Sequence, residues 1–312
     1  MLKEIIIIGS GPAGYTAGLY AARACMDTLL IKGTTPGGQL TTTTDVENYP
    51  GFAEVVQGPW LMEQMELQAA KAGLALANDT IISIQKDGDV FLLKGDKDYQ
   101  AKAVILATGA QAKWLGLPSE AKFKGYGVSS CATCDGFFYK NKDVLVVGGG
   151  NTALEEALYL SKIAKSVIII HRRDNFRAEK ILQQKVVTNN KITILWNKTL
   201  AEIVGQEDPL SVTGVKIQDV ISGQIQQLEV AGIFIAIGHN PNSTLVQNLI
   251  KCDAEGYVIT ESNSTKTSIP GLFAAGDVQD KIYRQAITAA ASGCMAALDA
   301  EKYLSTKDLL VE

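Results

Sequence analysis

The sequence predicts an α/β protein made of two related units, the second inserted into the first. Three observations predict it. A strand, glycine-turn, helix signature occurs twice; each signature is followed by a closing strand that ends in glycine; and a strand-like segment near the C-terminus ends in Gly-Asp. The 312 residues suffice for about two domains. With 46% hydrophobic and 20% charged residues the composition is that of a globular chain, not a disordered one. A formal net charge of −4 argues against broad nucleic-acid binding. Apolar runs such as Ile5–Ile8 and Ala231–Ile237 are far shorter than the ~18–20 residues a membrane span needs. Met1–Ile5 has no signal-peptide apolar region, so the expected location is cytoplasmic, with no membrane partner.

In chain order, Ile5–Ile8 reads as a buried parallel strand. Gly9, Gly11 and Gly14 form a turn, and Pro12 and Ala13 open an Ala-rich helix. Thr28–Ile31 is a second strand ending in Lys32-Gly33, followed by Thr34, Thr35 and the loop Pro36-Gly37-Gly38-Gln39-Leu40. Val104–Leu106, with Ala107, Thr108 and Gly109, closes the first unit, and Lys113–Pro118 is a candidate linker. The pattern then repeats. Gly148 aligns with Gly9, Gly150 with Gly11 and Ala153 with Gly14 at an offset of 139, and Ile233–Ile237 with Gly238 closes the second unit. His239–Ser243 is the return linker. The rest is too short for a third domain, so Ile269–Asp277 is expected to rejoin the first unit. The predicted domains are 1–112 plus 245–312, with 113–244 inserted. Thr41–Thr44 is the sole tract of reduced complexity.

Each G-x-G-x-x-G/A turn fits a dinucleotide in a Rossmann-like unit. The first glycine allows the turn, the second lets a pyrophosphate approach the backbone, and the third lets helix pack on strand. Free N–H groups and the helix dipole then hold the phosphates. In the second unit, Gly148, Gly150, Asn151 and Thr152 form this cradle. The next strand, Ser166–Ile170, ends in His171, Arg172 and Arg173, with Arg177 nearby. A carboxylate there would take a ribose 2′-OH; guanidinium groups instead take a 2′-phosphate, which points to NADP(H). At the first unit the equivalent strand ends in Lys32 with no acid. The Pro36–Leu40 loop and Asp277 suggest a flavin, but spacing alone leaves FAD and a second NAD open.

Cys131-Ala132-Thr133-Cys134-Asp135 is the expected chemical centre. A C-x-x-C turn brings two sulfurs within disulfide reach and lets the pair cycle. A zinc site needs further soft ligands; no second C-x-x-C exists, and the only histidines are His171 and His239, so no metal is expected. Thiol–disulfide exchange needs a proton carrier, and Asp135 is the candidate acid–base group. Cys25, Cys252 and Cys294 are expected to be packing residues.

These motifs together resemble the bacterial low-molecular-weight thioredoxin reductases, class II pyridine nucleotide-disulfide oxidoreductases. Six carry the resemblance, in order along the whole chain: Gly9–Gly14, Gly37–Thr44, Cys131–Asp135, Gly148–Ala153, His171–Arg173 and Ala274–Val278. The resemblance implies FAD in the first unit and NADPH in the second. It implies that Lys32–Gln39 and Asp277–Ala286, including Val278, Arg284, Gln285 and Ala286, line the FAD next to Gly276, with Asn48 near the ring. It also implies a homodimer and thioredoxin as partner. The implied reaction passes electrons from NADPH to FAD, to the Cys131–Cys134 disulfide, and on to oxidised thioredoxin. Because the pair lies in the second unit, the resemblance further implies rotation of one domain against the other about hinges near 113–118 and 240–245.

Rival readings fit less of the chain. A disulfide oxidase that returns electrons to oxygen has no need of the arginines. A ferredoxin reductase would lack the cysteine pair. A peroxiredoxin reductase would usually carry an N-terminal extension. A redox-inactive NADP-sensing or interaction protein would have no reason to keep C-x-x-C beside Asp135.

Overall fold

A computed structural model describes residues 2–42 and 45–308. The chain divides into two compact units, one formed by residues 1–111 and 240–312 and the other by 112–239.

The first unit is organised by strand Leu2–Ile8, which lies between Thr28–Ile31 and Asp98–Leu106, both parallel to it. Ala75–Ala77 extends the sheet beyond Thr28–Ile31, and Leu272–Ala274 pairs in parallel with Val104–Leu106. The C-terminal segment thus returns to this sheet. Ile5 and Ile7 enter one hydrophobic cluster and Ile6 and Ile8 the other, which explains four consecutive isoleucines: strand side chains alternate, and both sheet faces are covered. Helices Pro12–Arg23, Gly58–Lys71 and Ala286–Asp308 pack together on one face. A hairpin, Ser83–Asp87 and Val90–Lys94, adds antiparallel strands that the sequence reading did not contain.

The second unit repeats the plan. Asp143–Val147 lies between Ser166–His171 and Gly232–Ile235, with Ile192–Trp196 and Val128–Ser129 outside, all parallel. Val144 and Val146 face one cluster, Leu145 and Val147 the other. A three-stranded antiparallel sheet, Lys198–Glu207, Leu210–Asp219 and Ile225–Glu229, follows the parallel strands. Register repeats as well as order. Ile8 pairs with Ile31, and Val147 with Ile170. Gly9 N–H donates to the Ile31 carbonyl at 2.9 Å, and Gly148 N–H to the Ile170 carbonyl at 3.1 Å.

Between the units the chain passes once in each direction. On the first-unit side Asn242 is clasped to Thr108 and Gly109: its N–H donates to the Gly109 carbonyl at 2.9 Å, its Nδ2 to the Thr108 carbonyl at 2.8 Å, and Thr108 Oγ1 to the Asn242 carbonyl at 2.7 Å. On the second-unit side Lys113 N–H donates to the Gly238 carbonyl at 2.9 Å. The buried Glu120 carboxylate accepts the N–H groups of Leu115 and Gly116 at 3.0 and 2.8 Å. No helix among the described residues is long and apolar enough to cross a membrane.

Candidate functional site

The cysteine pair sits where strand Val128–Ser129 turns into the short helix Ala132–Asp135. Cys131 is its N-cap, in extended conformation, and one turn later Cys134 comes within bonding distance. The two form a disulfide, with Cα atoms 5.3 Å apart. Ala132 is buried against the core of the unit, while Cys134 is exposed. Ser129 Oγ accepts the Cys131 N–H at 3.0 Å and orders the approach. Asp135 lies at the end of the same turn, its N–H on the Cys131 carbonyl at 3.1 Å. Burial pushes the Asp135 carboxyl above the usual carboxylate range, against the lowering effect of Ser129. The neighbouring Tyr139 phenol is pushed up to about 12 by burial and by the Asp135 charge. The site therefore joins a disulfide to a carboxyl that holds its proton to higher pH, as proton delivery to a leaving thiolate requires.

In the first unit, three segments meet at the start of helix Pro12–Arg23. A Cβ on Gly9 would overlap the Ala107 carbonyl, and one on Gly14 the Gly9 carbonyl. Loop 36–40 is fastened by Gly37 N–H on Ser10 Oγ at 3.0 Å and by Ser10 Oγ on the Lys32 carbonyl at 2.9 Å. Gln39 Nε2 donates to the Ala110 carbonyl. Gly276 comes within 3.0 Å, Cβ to Cβ, of Ala13 were it alanine. Its neighbour Asp277 is pushed up to about 7, by burial and then by the charge of Asp280. Asp280 accepts the N–H groups of Ile282 and Tyr283, each at 2.9 Å, and so shapes the loop holding Arg284. Asn48 Nδ2 donates to Gln285 Oε1 at 3.4 Å, bringing two distant predicted residues together just before helix Ala286–Asp308. Thr43 and Thr44 lie outside the described residues.

Gly11 differs from its neighbours. Nothing lies within 4 Å of the place its Cβ would take, and its φ of −71° suits any residue. Neither a steric contact nor a strained dihedral requires glycine there. Helix Pro12–Arg23 also has no side-chain cap and no acid in its first turn. A glycine with no steric cause, over free N–H groups, fits a cradle for a phosphate that approaches the backbone.

The second unit shows the same fit. Gly150 also faces open space, at φ −96°, before the uncapped helix Asn151–Leu160. The segment carrying the arginines is tied to this turn. Arg177 N–H donates to the Gly149 carbonyl at 2.8 Å, and Glu179 N–H to Asn151 Oδ1 at 2.8 Å. His171 packs its ring on Gly149, where a Cβ would overlap it. Its pKa is lowered, first by burial and also by Arg173, Arg172 and Arg177. No carboxylate forms an ion pair with these three arginines among the described residues, so they are available to an anion.

One expectation is corrected. Cys25 is exposed, not packed. It follows helix Pro12–Arg23 at φ 58°, in the left-handed conformation that commonly ends a helix, and this turns it outward. Cys252 and Cys294 are half-buried. Sequence reading also missed Glu66, whose carboxylate meets Lys32 and Tyr15 beside the first glycine turn. No local signal marks it, because its partners lie 34 and 51 positions away.

Two glycine-cradle units and a redox disulfide define a flavin- and nicotinamide-linked disulfide oxidoreductase. Residues 3–293 match the family model for pyridine nucleotide-disulphide oxidoreductases, and the chain belongs to that family. Within it, the chain is 57% identical to a thioredoxin reductase of Rickettsia conorii, over 97% of this chain and 98% of the relative. It is 54% identical to a thioredoxin reductase of Escherichia coli O157:H7, over 97% and 96%. The crystal structure of thioredoxin reductase from Streptococcus pyogenes superposes with a TM-score of 0.92 at 42% identity, covering 98% of this chain and 99% of that one.

Proposed function

We propose that this chain is an NADPH-dependent flavoprotein thioredoxin-disulfide reductase. The observation that carries the reading is the Cys131–Cys134 disulfide, set beside a carboxyl of raised pKa in a chain with two dinucleotide cradles. The first unit holds FAD through Gly9–Gly14, the 32–40 loop, Asn48, Ala107–Gly109, Gly276–Val278 and Arg284–Ala286. The second holds NADPH through Gly148–Thr152, His171, Arg172, Arg173, Arg177 and Gly238. Bound FAD supplies a two-electron carrier between nicotinamide and disulfide.

The chain's own residues do the rest. Two electrons and two protons convert the Cys131–Cys134 disulfide into a dithiol. Asp135 gives a proton to the leaving sulfur. Asp135, now a carboxylate, takes the proton of one thiol, and the resulting thiolate attacks the disulfide of oxidised thioredoxin, forming a mixed disulfide and releasing a partner thiolate that takes up this proton. The second cysteine resolves it, so that the pair is oxidised again and thioredoxin leaves as a dithiol. Arg172, Arg173 and Arg177 orient the nicotinamide nucleotide by its 2′-phosphate.

The protein works as a cytoplasmic homodimer. The apolar side chains exposed on the first unit's three packed helices, among them Tyr20, Trp60, Leu67, Met295 and Leu298, support this assembly. The units rotate during turnover about hinges near 113–118 and 240–245. A cross-link between the units should permit one half-reaction and block the other; full turnover through a rigid cross-link would exclude rotation. The function itself is tested by NADPH oxidation in the presence and absence of thioredoxin. Oxidation should need thioredoxin, and NADH should replace NADPH poorly; thioredoxin-independent oxidation with oxygen as acceptor would support the oxidase rival.

A further inference from the structure

The two units place different charges at the same structural point. Lys32 follows the Ile8–Ile31 pair, as His171 follows Val147–Ile170. In the second unit the strand end continues into Arg172 and Arg173, which no carboxylate holds among the described residues. In the first it continues into Gly33 and Thr34, so Lys32 is the one cation there. That cation is already engaged. Its Nζ lies 2.6 Å from Glu66 Oε1, with side-chain exposures of 15% for Lys32 and 31% for Glu66. Tyr15, in the first turn of the cradle helix, donates its hydroxyl to the other Glu66 oxygen. Glu66 reaches this point from helix Gly58–Lys71.

We propose that Glu66 is a specificity-determining residue of the first unit: by holding Lys32 it leaves the strand end without a free cation, so the unit accepts an adenosine ribose that carries no 2′-phosphate. The inference rests on the reading of this unit as the FAD site. A 2′-phosphate brings about −1.5 to −2 of charge, by analogy with other phosphomonoesters. In the second unit it meets guanidinium groups. In the first it meets a neutralised ammonium and a carboxylate that repels it. A chain carrying both ligands has to keep NADPH out of the flavin cradle, and the Lys32–Glu66–Tyr15 cluster does so from outside the glycine motif.

The test uses the full-length chain, stripped of flavin and titrated with FAD in the presence of adenosine 2′,5′-bisphosphate. FAD affinity of the wild type is expected to be insensitive to this competitor. In Glu66→Gln, which frees Lys32 but keeps a partner for Tyr15, the competitor's inhibition constant against FAD should fall by about tenfold or more, the effect of one charge-assisted hydrogen bond. Lys32→Thr combined with Glu66→Gln should return to wild-type insensitivity, and 5′-ADP should compete no better in Glu66→Gln than in the wild type. Should Glu66→Gln fold poorly, Glu66→Ala with and without Lys32→Thr gives the same comparison. Equal competition in wild type and Glu66 variants, or in single and double variants, overturns the proposal. A wild-type chain that takes up no FAD overturns instead the flavin reading on which it rests.

Discussion

The second glycine of each cradle should separate ligand binding from folding. Consider Gly11→Val against Gly14→Ala. At Gly11 the place of a Cβ is clear of other atoms to 4 Å and the backbone is already extended, so Gly11→Val should cost only about 1 kcal/mol, the loss of glycine as N-cap of helix Pro12–Arg23. At Gly14 even one methyl overlaps the Gly9 carbonyl, with backbone on both sides of the contact. Overpacking of this kind costs about 1–3 kcal/mol, and ~2–4 °C in Tm accompanies each kcal/mol in a unit of this size. Binding should run the other way. The Gly11 side chain holds the pyrophosphate off the helix N–H groups, and losing two charge-assisted hydrogen bonds at ~1.5 kcal/mol each lowers FAD affinity by about a hundredfold. Thermal unfolding without FAD, and the rise in Tm on adding it, read the two effects separately. The account predicts a small fall in Tm and little FAD response for Gly11→Val, and a larger fall in Tm for Gly14→Ala. A Gly11→Val protein that takes up FAD like the wild type refutes the reasoning.

Four further outcomes follow from the site. Gly150→Val should impair NADPH binding while leaving FAD content intact, as equilibrium dialysis of both ligands can show. Arg172→Ala with Arg173→Ala should raise Kd for NADPH by about tenfold or more and barely move that for NADH; a parallel loss for both would mean the arginines do not read the 2′-phosphate. Asp135→Asn should slow reduction of the disulfide by about a hundredfold or more, the usual worth of a general acid, with flavin reduction by NADPH unaffected; equal slowing of both steps in stopped flow would remove Asp135 from its role. Asp277 titrates at about 7, above its unfolded value, so the flavin-free fold binds that proton more tightly than the unfolded chain. Its stabilising share is complete below the unfolded pKa and is lost as pH rises through about 7, and Asp277→Asn should flatten this dependence in denaturant titrations.

Sequence pattern carried the parallel cores because their forces are local and repeated. Ile5–Ile8 must be buried on both faces, and Gly9 and Gly148 must sit where a side chain would strike the adjoining strand. The 139-residue offset therefore reappears as strand order and register. Hairpin Ser83–Lys94 and the sheet from Lys198 to Glu229 were not read, because their antiparallel strands carry no glycine-turn motif and lie outside the 139-residue repeat. In the site, Cys131, Cys134 and Asp135 were legible through their short spacing. The Lys32–Glu66–Tyr15 cluster was not, since helix Gly58–Lys71 brings in Glu66 only through tertiary packing. Cys25 was misplaced because a left-handed residue at a helix end is usually glycine or asparagine, and composition alone suggests a buried thiol.

Stopped-flow reduction of the Cys134→Ser protein by NADPH, followed by steady-state turnover with thioredoxin, tests the central claim most directly. The account predicts that the variant's flavin is still reduced while transfer to thioredoxin is abolished. Sustained thioredoxin reduction by Cys134→Ser would contradict a relay through the Cys131–Cys134 pair.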